Sequence, residues 1–171
     1  HFPFLETSFK GDFCIMFHNV KAYNPHQKCI KTDFGFMSAD LLLLVETHTN
    51  IKYKNTINLE GFSRLNVTGT EKSTSSNGQI CFVKNNALQK VKFIANNANN
   101  NDLYDALDLT RILEIQLLKY NGQGVGAATG DVYICYLYKH SLMSDKQFHT
   151  EFAQFMSKHL PIVNKKFINR L

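Results

Sequence analysis

Two polar side chains come directly after apolar runs in the first third of the sequence. Asn19 lies just beyond the run Phe13–Phe17 (FCIMF), and Glu46 follows the run Leu41–Val45 (LLLLV). A carboxylate at the end of a buried strand can hold a divalent cation at the mouth of a sheet, where water still has access. An amide nearby can hold the water of that ion or a phosphate oxygen, so the pair indicates metal-assisted hydrolysis of a phosphodiester. The alternative is purely structural, because strands often end in polar residues where they reach solvent.

The elements that would position these two residues are short strands. Phe13–Phe17 and Leu41–Val45 are apolar throughout, which predicts strands buried on both faces. A helix is predicted between them from apolar residues at roughly helical spacing, namely Cys29, Ile30, Phe34 and Met37.

The middle of the chain consists mainly of strand patterns. Gly61-Phe62 predicts a turn into an exposed strand. Alternation predicts strands over Gly78–Lys84 and Val91–Ala95, with a hairpin between them. Two further strands are predicted over Arg111–Lys119 and Asp131–Tyr138. Polar or glycine-rich loops are predicted for 71–77, 96–101 and 122–130, the last of which lacks the helix that a dinucleotide fingerprint requires.

The last predicted helix is amphipathic and has a capping signal. Ser144 is placed as its N-cap, and Pro161 ends the pattern. The apolar face consists of Phe148, Phe152, Phe155, Met156 and Leu160. Ile162-Val163 then predicts the start of another strand. Because helices and strands are mixed, the sequence predicts an α+β domain made of sheets with flanking helices.

The charge balance is compatible with DNA as a partner. The 171 residues include 19 Lys and Arg against 14 Asp and Glu, a net charge of +5. Each cationic side chain that neutralises a phosphate releases a counterion, which favours binding. The excess does not single out DNA, because many soluble proteins are equally basic.

The cysteine pattern predicts an intracellular protein, nuclear or cytoplasmic. The four cysteines have no CxxC spacing and three sit inside apolar runs, so we expect reduced, buried thiols and no zinc site. They are Cys14, Cys29, Cys81 and Cys135. No run approaches about 18 apolar residues, so no membrane span is predicted. Residues 1–12 lack an initiator Met and a basic signal region, and we interpret them as an upstream linker in a fragment of a longer protein.

The order and spacing of several motifs resemble the endonuclease/exonuclease/phosphatase family, whose fold is DNase I-like. Phe17–Val20 (FHNV) is similar to the end of that family's first core strand, which terminates in Asn. Ser38–Thr47 (SADLLLLVET) is similar to the segment that carries its metal-binding Glu. Three later segments resemble strands that follow in the family: Glu60–Phe62 (EGF), Asn77–Lys84 (NGQICFVK) and Val132–Lys139 (VYICYLYK). The resemblance extends over about 13–163.

The resemblance implies a role for individual residues. Glu46 would ligate Mg²⁺, Asn19 would orient the metal or the phosphate, and Tyr138 would approach the scissile phosphate. Candidate contacts to DNA backbone phosphates are Lys21, Lys84 and Lys139, with a plain surface role as the alternative for each. The implied function is a Mg²⁺-dependent DNA endonuclease of a mobile element, of the LINE-type retrotransposon or Helitron kind. A helicase or a reverse transcriptase in the same polyprotein would be its partner.

The resemblance fails toward the C-terminus. Where the family has Gly-Asp-Phe-Asn, Pro161–Leu171 carries Lys165-Lys166, whose charge should repel Mg²⁺. The later Ser-Asp-His segment is absent. We therefore expect one incomplete domain over 1–171, a DNase I-like layered β-sandwich flanked by helices without its C-terminal part, and no activity in the chain as it stands. Exposed sheet edges and aggregation are expected with it.

Two other interpretations remain open. One is a catalytically dead remnant that retains at most non-specific DNA binding. The other is an unrelated α+β interaction domain, in which the positions of Asn19 and Glu46 are coincidental. Two smaller departures are His48, where the family has Trp, and Asn77, where it has a second Gly and for which we expect a left-handed turn.

Overall fold

A computed structural model describes residues 13–69, 77–97, 113–121, 131–141 and 143–160, which form two β-sheets and three α-helices. The strands are β1 (Ile15–Asn19), β2 (Leu41–Val45), β3 (Phe62–Val67), β4 (Gln79–Lys84), β5 (Val91–Asn96), β6 (Leu113–Asn121) and β7 (Asp131–Lys139). The helices are α1 (Tyr23–Thr32), α2 (Phe34–Ser38) and α3 (Asp145–His159). Two short 3₁₀ helices cover Ile51–Thr56 and Asn85–Lys90.

Strand β2 lies inside the first sheet, whose order is β1-β2-β4-β3. It pairs in parallel with β1 and antiparallel with β4, and every one of its residues is buried. Its side chains alternate between the two faces, so Leu42 and Leu44 pack on one side while Leu41 and Leu43 pack on the other. The strand predicted over Leu41–Val45 is confirmed in type, bounds and burial.

Strand β1 is not buried as predicted. The run Phe13–Phe17 does lead into a strand, but the strand covers Ile15–Asn19 and is mostly exposed. Among the described strands it lies at the edge of the sheet and pairs with β2 alone, and Ile15 is 44% exposed and Phe17 is 53% exposed. The prediction was wrong because an apolar run does not distinguish an edge strand from a central one.

The helical spacing after β1 corresponds to two helices instead of one. The break falls at Asp33, whose carboxylate accepts a hydrogen bond from the Phe36 amide at 3.1 Å and caps α2. Pro25 lies in the first turn of α1, where its missing N–H removes no helical hydrogen bond. Helix α1 packs on the sheet through Tyr23 and Ile30.

The second sheet is antiparallel, in the order β5-β6-β7. Strands β6 and β7 pair from Leu113 opposite Lys139 to Asn121 opposite Asp131, so both strands predicted in this part of the chain are present. The hairpin predicted between β4 and β5 is wrong, because these strands belong to different sheets. The 3₁₀ helix between them joins the two sheets, and the alternation of each strand reflects packing against the opposite sheet. The predicted loops 71–76, 98–101 and 122–130 lie outside the described residues.

Three apolar clusters stack the elements in four layers: α1, the first sheet, the second sheet and α3. Between α1 and the first sheet, the rings of Tyr23 and Phe82 lie 5.9 Å apart. Leu43 and Leu118 meet between the two sheets. Phe155 of α3 packs on the outer face of the second sheet. The α+β class is therefore confirmed.

Helix α3 begins and packs as its sequence predicts. The Ser144 hydroxyl accepts a hydrogen bond from the Gln147 amide at 3.3 Å, which confirms the predicted N-cap. Phe148 and Phe152 stack with their ring centroids 5.6 Å apart, and Phe155 is buried. The residues from Pro161 onward, including the strand predicted at 162–163, lie outside the described part of the chain.

All four cysteines are free thiols, but they are not all buried. Cys81 is buried, and burial raises the pKa of the half-buried Cys135 to about 11. Cys29 is exposed, contrary to prediction, because α1 turns Ile30 and Tyr23 toward the sheet instead. Among the described residues, no helix combines the length and the apolar composition needed to cross a membrane.

We predict that replacing Leu42 by Ala lowers the free energy of unfolding by about 2–5 kcal/mol, because a fully buried side chain leaves a cavity. Leu88→Ala is the matched control, since Leu88 is 40% exposed, and it should cost less than about 1 kcal/mol. Urea unfolding followed by circular dichroism measures both. Equal losses in the two variants would contradict the central position of β2.

Candidate functional site

The strand ends that carry most of the predicted site residues lie at one edge of the molecule. Asn19 ends β1 opposite Val45, the last residue of β2, and Glu46 follows at once. Tyr138 lies at the corresponding end of β7, opposite Glu114 of β6. Strands β1 and β2 run parallel, so their carboxyl ends meet at the same edge.

Backbone hydrogen bonds join the loops that follow β1 and β2. The Val20 amide donates to the Val45 carbonyl at 3.1 Å, which extends the parallel pairing. The Ala22 amide donates to the Glu46 carbonyl at 2.8 Å, and the Tyr23 amide donates to the Thr47 carbonyl at 2.9 Å. The two loops therefore form one unit, and the positions of Asn19 and Glu46 are fixed relative to each other.

The same two loops contain backbone angles that side chains rarely adopt. The non-glycine residues with positive φ, within the described ranges, are Lys21 (45°), Ala22 (90°), Glu46 (51°) and His48 (49°). All of them follow the last residue of β1 or β2 by a few positions. Such conformations cost about 1–3 kcal/mol each and persist at sites where the surrounding structure enforces them for a purpose. Strain concentrated on both flanks of this edge supports a functional role for it.

Tyr138, on the second sheet, lies close enough to Glu46 for that carboxylate to act on its phenol. Burial and the nearby Glu46 carboxylate raise the pKa of Tyr138 to about 12. The phenol therefore stays protonated at neutral pH and is available to donate a hydrogen bond. A carboxylate oxygen or a phosphate oxygen could accept that hydrogen bond.

Glu114 is a further carboxylate near this edge and was not among the predicted site residues. It is 2% exposed, accepts a hydrogen bond from the Gly78 amide at 2.8 Å and accepts another from the Thr68 hydroxyl at 3.2 Å. Its charge also acts on Tyr138. The alternation of β6 suggests that Glu114 and Gln116 face solvent, whereas the structure buries both side chains. A carboxylate within an apolar strand was the available signal.

Gly78 connects Glu114 to the strained turn at Glu46. The Gly78 carbonyl accepts a hydrogen bond from the Thr47 amide at 3.0 Å, while its own amide is held by Glu114. Gly78 has φ of +116°, and a Cβ there would lie 2.5 Å from the Thr47 hydroxyl oxygen. The left-handed turn expected at Asn77 is therefore taken by Gly78 instead, because the space between the two segments admits no side chain at this position.

The three candidate lysines lie in different surroundings. Lys21 follows Asn19, and its amide donates to the Asn19 side-chain oxygen at 3.2 Å. Lys139 adjoins Tyr138 at the same edge and forms an ion pair with Asp145 at 2.8 Å. Lys84 lies at the opposite end of β4, five residues from Gln79 or about 16 Å along the strand. Its ammonium donates to the Met37 carbonyl at 3.0 Å. The structure thus places Lys21 beside Asn19 and Lys84 away from the site. The side chain of Lys139 lies on the opposite face of β7 from Tyr138, where it pairs with Asp145 of α3.

The residues at this edge suit a magnesium ion that is shared with a substrate. Mg²⁺ in enzymes is commonly held by one or two carboxylates, several waters and the substrate phosphate. Glu46 supplies one carboxylate and Asn19 an amide on the neighbouring strand. Within the described residues, no group of three or more His, Cys, Asp or Glu side chains is arranged to hold a metal ion by itself. Glu46 and Asn19 are the predicted site residues at this edge whose oxygens could hold such an ion.

Comparison with known proteins leaves the family open. No protein-family model matches the chain. No curated protein matches it at a significant level either.

We predict that Gly78→Ala lowers the free energy of unfolding by about 2–4 kcal/mol, since it adds both a left-handed backbone cost and a collision with Thr47. Gly61→Ala is the matched control. Gly61 has φ of +80° with no atom within 4 Å of the added carbon, so the expected cost is about 1–2 kcal/mol. Urea unfolding measures the difference, and identical values would remove the argument for a tight Gly78–Thr47 contact.

We also predict that Tyr138 titrates at a pH of about 12. Its folded pKa lies above the ordinary tyrosine value of about 10, so its stabilising contribution is complete below pH 10 and is lost as pH rises through the folded pKa. Tyr138→Phe should therefore weaken the alkaline fall in stability. In Glu46→Gln, the pKa of Tyr138 should drop but stay above its ordinary value, because burial remains. Tyrosinate absorbance measures the titration, and an unchanged pKa in Glu46→Gln would show that the two side chains do not meet.

Proposed function

We propose that the edge formed by Asn19, Glu46 and Tyr138 is the metal-binding and phosphate-binding part of a Mg²⁺-dependent phosphodiesterase site that acts on DNA. The observation that carries this proposal is that strained, hydrogen-bonded loops follow Asn19 at the end of β1 and contain Glu46 after β2, while the protonated phenol of Tyr138 on β7 lies near Glu46. Each of these side chains suits a phosphodiester and a divalent cation.

Each of the three residues has a distinct part in the proposed chemistry. The Glu46 carboxylate holds Mg²⁺, which supplies Lewis-acid activation of the phosphate when it is bound. The Asn19 side-chain oxygen accepts from the Lys21 amide, so its NH₂ group is directed by that turn and is the part that can donate to a phosphate oxygen. The Tyr138 hydroxyl would donate its hydrogen bond to a phosphate oxygen in place of the Glu46 carboxylate. Lys21 adds positive charge beside Asn19 at the same edge.

The layer order supports assignment to the endonuclease/exonuclease/phosphatase family with a DNase I-like sandwich. Two sheets packed face to face between α1 and α3 agree with such a sandwich. Large apolar side chains are exposed on two of the described edge strands, Ile15 and Phe17 on β1 and Val132 on β7, as an incomplete sandwich would leave them. A mobile-element origin, with a helicase or a reverse transcriptase in the same polyprotein and a nuclear or cytoplasmic location, completes the proposal.

A second candidate function is DNA binding without cleavage. It is favoured by the hydrogen bonds that Glu114 already accepts. Glu114 is a second carboxylate close to this edge among the described residues. Because Glu114 is occupied by the Gly78 amide and the Thr68 hydroxyl, it is poorly placed to activate a water molecule. In that case the net charge of +5 would supply most of the affinity, and binding would weaken steeply with added salt.

Nicking of supercoiled plasmid in Mg²⁺ tests the two functions. If the chain nicks DNA, Glu46→Ala should lower the rate by about 10-fold to 100-fold or more, since a metal-binding carboxylate is lost. Glu60→Ala is the control, because Glu60 is an exposed carboxylate ahead of β3. Nicking that persists unchanged in Glu46→Ala would rule out the assigned role of Glu46. A chain that binds plasmid in a salt-dependent way and never nicks it would support the second candidate.

A further inference from the structure

A solvent-open pocket of about 270 Å³ adjoins Asn19, on the side of β1 that faces α1 and α2. Its walls include the apolar side chains of Val20, Ile30 and Phe36. The His18 ring meets the Phe36 ring edge to face, with centroids 5.2 Å apart. The pocket therefore has an aromatic wall, and its size suits a small ligand.

Polar groups are distributed unevenly around this pocket. Asn19 and Lys21 belong both to its rim and to the candidate phosphate site, so the two are continuous. Asp33 contributes a carboxylate to another part of the lining, and one of its oxygens also accepts from the Phe36 amide. A cation thus lies where the pocket joins the phosphate site, and an anion lies on the lining of the pocket itself.

We infer that this pocket binds the nucleoside next to the phosphate at Asn19, with its base unpaired. The inference rests on the proposed function, because that function supplies the phosphate. The aromatic wall suits the face of a base, which gains about 1–3 kcal/mol from stacking on an aromatic side chain. The Asp33 carboxylate suits an N–H or O–H donor of a neutral nucleoside and repels a second phosphate. A base paired in a duplex cannot enter such a pocket, so single-stranded or locally opened DNA is the substrate form that fits.

Cys29 provides a reporter for occupancy, because it lines the pocket and is exposed. The other three thiols react more slowly, since Cys81 is buried and burial raises the pKa of Cys14 and Cys135. Alkylation by iodoacetamide should therefore show a fast phase from Cys29. The variant Cys29→Ser should lack that phase, which assigns it.

The test is protection of Cys29 from iodoacetamide by the dinucleotide dTpdT. Saturating dTpdT should slow the fast phase about fivefold or more, whereas inorganic phosphate at the same concentration should not slow it. Phe36→Leu should weaken the protection, and the control Phe34→Leu should preserve it, because Phe34 is 64% exposed and is not part of the pocket lining. Absence of protection by dTpdT, or equal protection by phosphate alone, would overturn the inference.

Comparison with Glu46→Ala separates this inference from the proposed function. The variant should lose Mg²⁺-dependent nicking and keep protection of Cys29 by dTpdT, because Glu46 is not part of the pocket lining. Protection without any nicking would support the pocket and contradict the phosphodiesterase. Nicking that depends on Glu46 without protection would support the phosphodiesterase and contradict the pocket.

Discussion

The contact between the Tyr138 hydroxyl and the Glu46 carboxylate depends on how the two sheets pack against each other. Glu46 is positioned by the first sheet and Tyr138 by the second. The apolar layer between the sheets sets their spacing. The hydrogen bond from the Gly78 amide to Glu114 also links the first sheet to the second. In the proposed phosphodiesterase, a displacement of about 1 Å between the sheets would misplace Tyr138 relative to Glu46, and catalytic sites tolerate little misplacement.

The strained backbone angles in the loops after β1 and β2 cost a substantial free energy. Four unfavourable φ angles at about 1–3 kcal/mol each are comparable to the net stability of a typical domain, about 5–15 kcal/mol. The hydrogen bonds from Ala22 to Glu46 and from Tyr23 to Thr47 hold those angles in place. A fold under selection for stability alone would relax them, so their retention on both sides of one edge argues for a site at that edge.

Local patterns in the sequence predicted where strands and helices form better than they predicted which of these elements lie next to each other. The run Leu41–Val45 and the capped helix at Asp145–His159 were predictable because burial on both faces and capping leave local traces. The edge position of β1 and the separation of β4 from β5 were not, since both depend on which strands pair. Asn19 and Glu46 could be selected because they follow strands. Glu114 could not, because its burial comes from the opposite sheet and its partners lie over 30 residues away in the chain.

The position of β1 at the edge of its sheet also affects local unfolding of the molecule. A strand with a single paired neighbour and mostly exposed side chains can detach in a sub-global opening that costs far less than complete unfolding. Because Asn19 belongs to β1 while Glu46 follows the buried β2, such an opening would also break the hydrogen bonds that join their loops, and it would then separate the amide from the carboxylate. The integrity of the site is therefore set by the fraying free energy of one peripheral strand, and stabilising the global core would do little to improve it.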